Sequence, residues 1–241
     1  MYKRQIQTVI TFAAFVILFM APGNDVRVAS EIATWMPGYK ELSVGNHLFM
    51  TIQWMLSSFA NEGKAFFIAI WAAGFLLLIK SKKAKVYQIL AIVFSVAAIL
   101  PYAGITFFSE MGIGDIDIEQ CLTELPTWQS MTTQNRIAFF WWIAAVLFTL
   151  VLLWKVTGHS VFISMVFLGG IASEAVLYFS PTIYASGARV YYLTDLMYLF
   201  IILWMVMRMD SEKKKNLFIA GTAALGVINF LSQYSIMLLK L

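Results

Sequence analysis

Two arginines, each just beyond a helix-breaking stretch, are the residues whose type and placement most suggest chemistry in this sequence. The first, Arg27, follows Ala21-Pro22-Gly23-Asn24-Asp25-Val26. Pro and Gly stop a helix sharply, and Asn24 and Asp25 suit a turn or a following N-cap. A planar guanidinium there could clamp a phosphate or carboxylate, with Asn24 beside it. A helix stop followed by an interfacial arginine accounts for the same residues. The second, Arg189, closes the segment Ser180-Pro181-Thr182-Ile183-Tyr184-Ala185-Ser186-Gly187-Ala188. That segment is small and polar, so its backbone N–H groups could approach an anion closely. Two acids flank it inside apolar runs, Glu174 before and Asp195 after. Acids within apolar spans face a cavity or a partner. They could pair with Arg189 as a structural ion pair. Alternatively, they line an outward cavity, holding the arginine or acting as general base on a hydroxyl.

Other candidates are weaker. Asp115-Ile116-Asp117 has the Asp-x-Asp spacing with which many glycosyltransferases hold a metal diphosphate, but a solvated acidic loop produces it as readily. His47 and His159 stand alone, Cys121 is the single cysteine, and no metal site or cofactor is expected. No phosphate loop, nucleophile elbow or His-Glu-x-x-His helix occurs.

The elements that must carry these residues are set by composition. Of 241 residues, 61% are hydrophobic and 12% charged, against 45–50% and about 25% in soluble domains. Lipid is therefore the expected solvent, and the fold class an all-α membrane protein. Apolar runs predict seven transmembrane helices: Gln5–Ala21, Ala65–Ile79, Val86–Phe108, Ile137–Trp154, Val161–Phe179, Tyr191–Met207 and Leu217–Leu239. Leu48–Phe59 is too short to span and reads as one interfacial or re-entrant helix, anchored by Trp54. Residues 1–241 form a single polytopic domain.

Charge sets the orientation. With the N-terminus inside, eleven of the 17 basic residues face the cytoplasm, including Lys80, Lys82, Lys83, Lys85 and Lys213–Lys215. Nine of the 13 acids face out, which is the positive-inside pattern. The net charge of +4 thus reads as topology, and no nucleic-acid partner is expected. Trp141, Trp142, Tyr191 and Tyr192 suit an aromatic belt, and Gly169-Gly170 with Ala172 and Ser173 a close helix contact. The long loops lie outside, so recognition belongs on the outer face.

Ala-Pro-Gly-Asn at 21–24 with Arg27, and Ser180-Pro181-Thr182 with Gly187-Ala188-Arg189, resemble a family of bacterial polytopic membrane proteins. That family is grouped with O-antigen and teichoic-type glucosyltransferases of the GT-C superfamily, and the likeness is to its later half. The resemblance implies surface-polysaccharide assembly in the bacterial cytoplasmic membrane. It implies a polyprenyl-phosphate sugar bound on the outer face by Arg27, Arg189 and Asn24, with or without catalysis by a glycosyltransferase centre. GT-C enzymes carry acidic catalytic residues in the first outer loop of a chain with ten or more spans, and no residue here matches that motif. A transporter or flippase subunit, and an immunity-type scaffold with a membrane-protein partner, stand as alternatives.

Overall fold

The computed structural model describes residues 24–81, 84–100, 127–129, 131–158, 161–176, 180–182 and 191–239. Within them lie eight α-helices and no strand: α1 (Asn24–Trp35), α2 (Val44–Asn61), α3 (Lys64–Leu78), α4 (Lys85–Ile99), α5 (Thr133–Val156), α6 (Val161–Ala175), α7 (Tyr192–Met207) and α8 (Glu212–Leu239). The all-α expectation holds among the described residues, and the expected helices from Ala65 onward overlap α3 to α8, with residues 101–108 and 177–179 of two of them outside the described residues. The predicted helix Gln5–Ala21 lies outside the described residues.

Helix ends follow local chemistry. Ser43 caps α2 by accepting from the Asn46 N–H at 3.2 Å, and Thr132 caps α5 by accepting from the Asn135 N–H at 3.2 Å. Past the end of α5, Gly158 takes φ 65°, a left-handed stop that a side chain would strain.

The centre of the bundle is α3, which packs against α2, α4, α5, α7 and α8. Phe67, fully buried, meets the rings of Phe59, Trp71, Trp142, Phe167 and Tyr198 at centroid distances from 5.2 to 6.2 Å. Such a cluster of rings contributes through apolar burial and edge-to-face geometry together. Trp142 therefore belongs to the core and not to an aromatic belt. Tyr192, by contrast, is exposed. Further along, the Trp71 indole donates to the Thr149 hydroxyl at 2.8 Å. A Cβ on Gly74 would then stand 2.7 Å from Leu152. These contacts advance together, so α3 and α5 run parallel at close range.

The helix α2 lies across one end of this bundle. Its early residue Phe49 packs on Trp128 and Phe139 near the start of α5. Its later residues reach the end of α6 and the start of α7, where the Trp54 ring meets that of Tyr191 at 5.1 Å, tilted by 36°. The turn Glu62-Gly63 then bends the chain by 69° into α3. The helix runs 18 residues where the sequence predicted 12, and with α3 it forms a bent pair whose geometry is that of a broken span as much as of a re-entrant loop. Trp54 is 6% exposed and packs with Met36 and Met50, so it fastens α1 and α2 together and does not anchor in lipid.

Among the described residues, Asn135–Val156 is the one unbroken helix both long and apolar enough to cross a bilayer, and the bent pair α2–α3 qualifies if taken as one span. The outward faces of α4, α6, α7 and α8 are nonetheless apolar. Ile89, Val93, Phe162, Met165, Leu199, Leu203, Val227 and Phe230 are all exposed.

Candidate functional site

The ends of the bundle differ in chemistry. One carries the α3–α4 connection and the α7–α8 connection, and it is rich in lysine. There Asp210 accepts from Lys80 at 3.0 Å and from Lys214 at 2.8 Å. These two lysines hold the Asp210 carboxyl well below its ordinary range, with Lys214 the larger influence. Nearby, Lys215 bonds Glu212 at 2.7 Å, and the Arg208 guanidinium lies over Trp204 at 4.3 Å.

The other end, beneath α2, gathers the acids. Glu174, in the last turn of α6, is 1% exposed. The Ser58 hydroxyl of α2 lies 2.6 Å from its Oε2 and 2.8 Å from the Met55 carbonyl, one donor facing two acceptors. On α7 the Thr194 hydroxyl lies 3.1 Å from the Gly170 carbonyl and 2.9 Å from the Ser173 hydroxyl, and it also reaches Glu174. Small residues on α6 allow this approach: a Cβ on Gly170 would lie 2.9 Å from the Tyr198 ring. The expected close contact at Gly169-Gly170 is therefore present, and α7 is its partner. Asp195 is half-buried, and Coulombic interactions link it to Glu174 and to Glu62 at the α2–α3 turn. Among the described residues, no ion pair reaches Glu174 or Asp195. Two buried polar atoms near this end, Gln53 Oε1 and Tyr198 Oη, also lack a hydrogen-bond partner there.

A buried carboxylate held by hydroxyls, with no cation beside it among the described residues, can accept a proton from a hydroxyl or receive a cationic group. The two acids expected to flank a polar cavity thus come together at one end. Arg27 has a side chain 79% exposed, and its ion-pair partner is Glu31 on its own helix, at 3.8 Å. Asn24 opens α1. Arg189, Asp115, Asp117, Cys121 and His159 lie outside the described residues. His47 Nε2 sits 3.1 Å from the Tyr39 carbonyl, a structural contact. No group of three or more metal-ligating side chains occurs among the described residues.

Ser58, Thr194 and Tyr198 were not singled out in the sequence, and Ser173 was expected only as part of a packing face. A signal was present on α2, where Gln53, Ser57 and Asn61 recur every fourth residue in an apolar stretch and therefore share a face. Asn61 indeed donates to the Ser57 hydroxyl at 3.2 Å. No protein-family model, curated protein or solved structure matches the chain.

Proposed function

We propose that the chain is a multi-pass protein of the bacterial cytoplasmic membrane that binds a polyprenyl-phosphate sugar at its acid-rich outer end, in surface-polysaccharide assembly. The observation that carries this reading is Glu174, a buried carboxylate held by hydroxyls with no cationic partner among the described residues. Contiguous apolar faces on α4, α6, α7 and α8 are too extensive for water and suit lipid. In this reading α3 to α8 account for six of seven spans, α2 lies in the outer interface, and the lysine-rich end faces the cytoplasm. Arg27 and Arg189 would take the lipid phosphate. Where transfer follows, Glu174 accepts the proton of the acceptor hydroxyl. That hydroxyl oxygen bonds the sugar C1 as the C1–O bond breaks, and polyprenyl phosphate leaves.

The test is polyprenyl-phosphate binding by the full chain in detergent. Arg27→Ala and Arg189→Ala should each weaken it roughly tenfold, the value of one charge-assisted contact. Glu174→Gln should leave binding in place and remove transfer. Unchanged binding in both arginine variants would sink the reading. Reporter fusions after Lys83 and Lys214 should read cytoplasmic, and fusions after Asp117 and Leu241 external. An external signal at Lys83 would make α2 a full span and overturn the topology.

The 69° break between α2 and α3 favours a second reading, movement of a lipid-linked solute, because broken helices frame the binding sites of many transporters. Acceptor-independent flipping of the lipid in proteoliposomes would select it.

A further inference from the structure

A lateral groove of about 430 Å³ opens between α3, α4 and α8, running from Ile68 to Leu76 along α3. Its walls include Ala72, Leu76, Ile92, Val96, Phe218 and Gly221, and they are almost wholly apolar. Ser95 and Thr222 add hydroxyls to the walls, too few to satisfy the hydrogen bonds of a polar ligand. Nor is there room for another helix. The volume is close to that of a single helical turn with its side chains, a cylinder about 10 Å across and 5.4 Å high.

The three helices that form the groove all meet the lysine-rich end. Lys80 follows the last residue of α3 by two positions, and it stands one turn beyond the groove residue Leu76. Lys85 opens α4 and is exposed. Lys214 lies in the first turn of α8, one turn before Phe218. Lys80 and Lys214 converge on Asp210, so α3 and α8 are joined at the mouth of the groove by two cations and one anion. One positive charge is left in excess. Glu212, the other acid at this end, is engaged by Lys215, and the Arg208 guanidinium lies over Trp204. An apolar slot capped by surplus positive charge matches an amphiphile with an anionic head. We propose that this groove seats one anionic phospholipid, its acyl chain between α3, α4 and α8 and its phosphate on Lys80 and Lys214. The inference rests on the membrane reading above, but not on the sugar-lipid site at the opposite end.

The wall itself supplies a clean probe. A Cβ on Gly221 would meet nothing within 4 Å, so a bulky residue there fills the slot without colliding with the bundle. The experiment is native mass spectrometry of the full chain in detergent, titrated with phosphatidylglycerol or phosphatidylcholine of equal chain length. Phosphatidylglycerol should bind at least about fivefold more tightly, the effect of a single lysine near a phosphate. Lys80→Gln with Lys214→Gln should bring the two lipids to within about twofold. Gly221→Phe should lower binding of both lipids while leaving the thermal midpoint near that of the parent. Equal affinity for the two lipids, a preference that survives loss of both lysines, or undiminished binding to Gly221→Phe overturns the seat. A chain that stays dissolved without detergent overturns the membrane reading itself, so the two failures are distinguishable.

Discussion

The two ends of the bundle hold their carboxylates in opposite ways. Asp210 stands in solvent between two lysines, its side chain 52% exposed. Glu174 is 1% exposed, and its side-chain partners among the described residues are hydroxyls. The contact distances are similar, 3.0 and 2.8 Å against 2.6 Å. Distance alone therefore says little about what each contact contributes. A surface ion pair exchanges water for a charge at almost equal free energy, whereas a buried carboxylate has no water to return to. The first arrangement is suited to joining two helix ends, and the second keeps a reactive group ready for a ligand.

The contrast can be broken or sharpened by substitution. The largest effect is expected from Ser58→Ala, which removes the Glu174 donor from a dry site. A hydrogen bond to a charged group contributes about 1.5–3 kcal/mol, so thermal unfolding in detergent should show a loss of about 2 kcal/mol. Next comes Trp71→Phe, which deletes the indole bond to Thr149 midway between the ends. Thr149 keeps its own bond to the Ala145 carbonyl at 2.7 Å, so no buried donor is orphaned and the loss should be about 1 kcal/mol. Lys80→Gln should move the midpoint by no more than about 2 °C, and added salt should shrink that shift. A larger effect for Lys80→Gln than for Ser58→Ala would reverse the comparison.

The smallest effect concerns pH. The Asp210 carboxyl is depressed by Lys214 and Lys80. Its contribution is therefore present above the ordinary aspartate value of about 3.9 and is lost as pH falls toward the lowered folded value. The midpoint difference between parent and Lys80→Gln should be constant from neutral pH to about 5 and should narrow below about 4. A difference that widened on acidification would mean that Asp210 is not what Lys80 engages.

Much of the helical arrangement was legible in the sequence because outward-facing and core-facing residues are both apolar, and runs of them are long. The same uniformity hid the interior. Trp142 and Tyr192 belong to one class in sequence, yet one is in the core and the other is exposed, and only packing separates them. Charge was easier to read: Lys80 and Lys214, 134 positions apart, were expected on one side, and they share a carboxylate. Glu174 and Asp195 stood out as acids in apolar runs. Their partners Ser58 and Thr194 did not, since lone hydroxyl residues are common in membrane helices and their direction depends on tertiary register. The shared anion site of Arg27 and Arg189 was built on loop spacing, and of its two arginines only Arg27, paired with Glu31, falls within the described residues.

Ser58 carries two duties at once. Its carbonyl accepts from the N–H groups of both Glu62 and Gly63, at 2.8 and 2.9 Å, which sets the angle between α2 and α3. Its hydroxyl is the tether of Glu174. Elbow and tether are thus parts of one residue, separated only by its Cα–Cβ and Cα–C bonds. A ligand that drew the Glu174 carboxylate aside by an ångström would tug on the elbow itself, and α2, hinged there, would swing as a lever 18 residues long. Its far end, where Phe49 rests on Trp128, would register the arrival as a change in fluorescence.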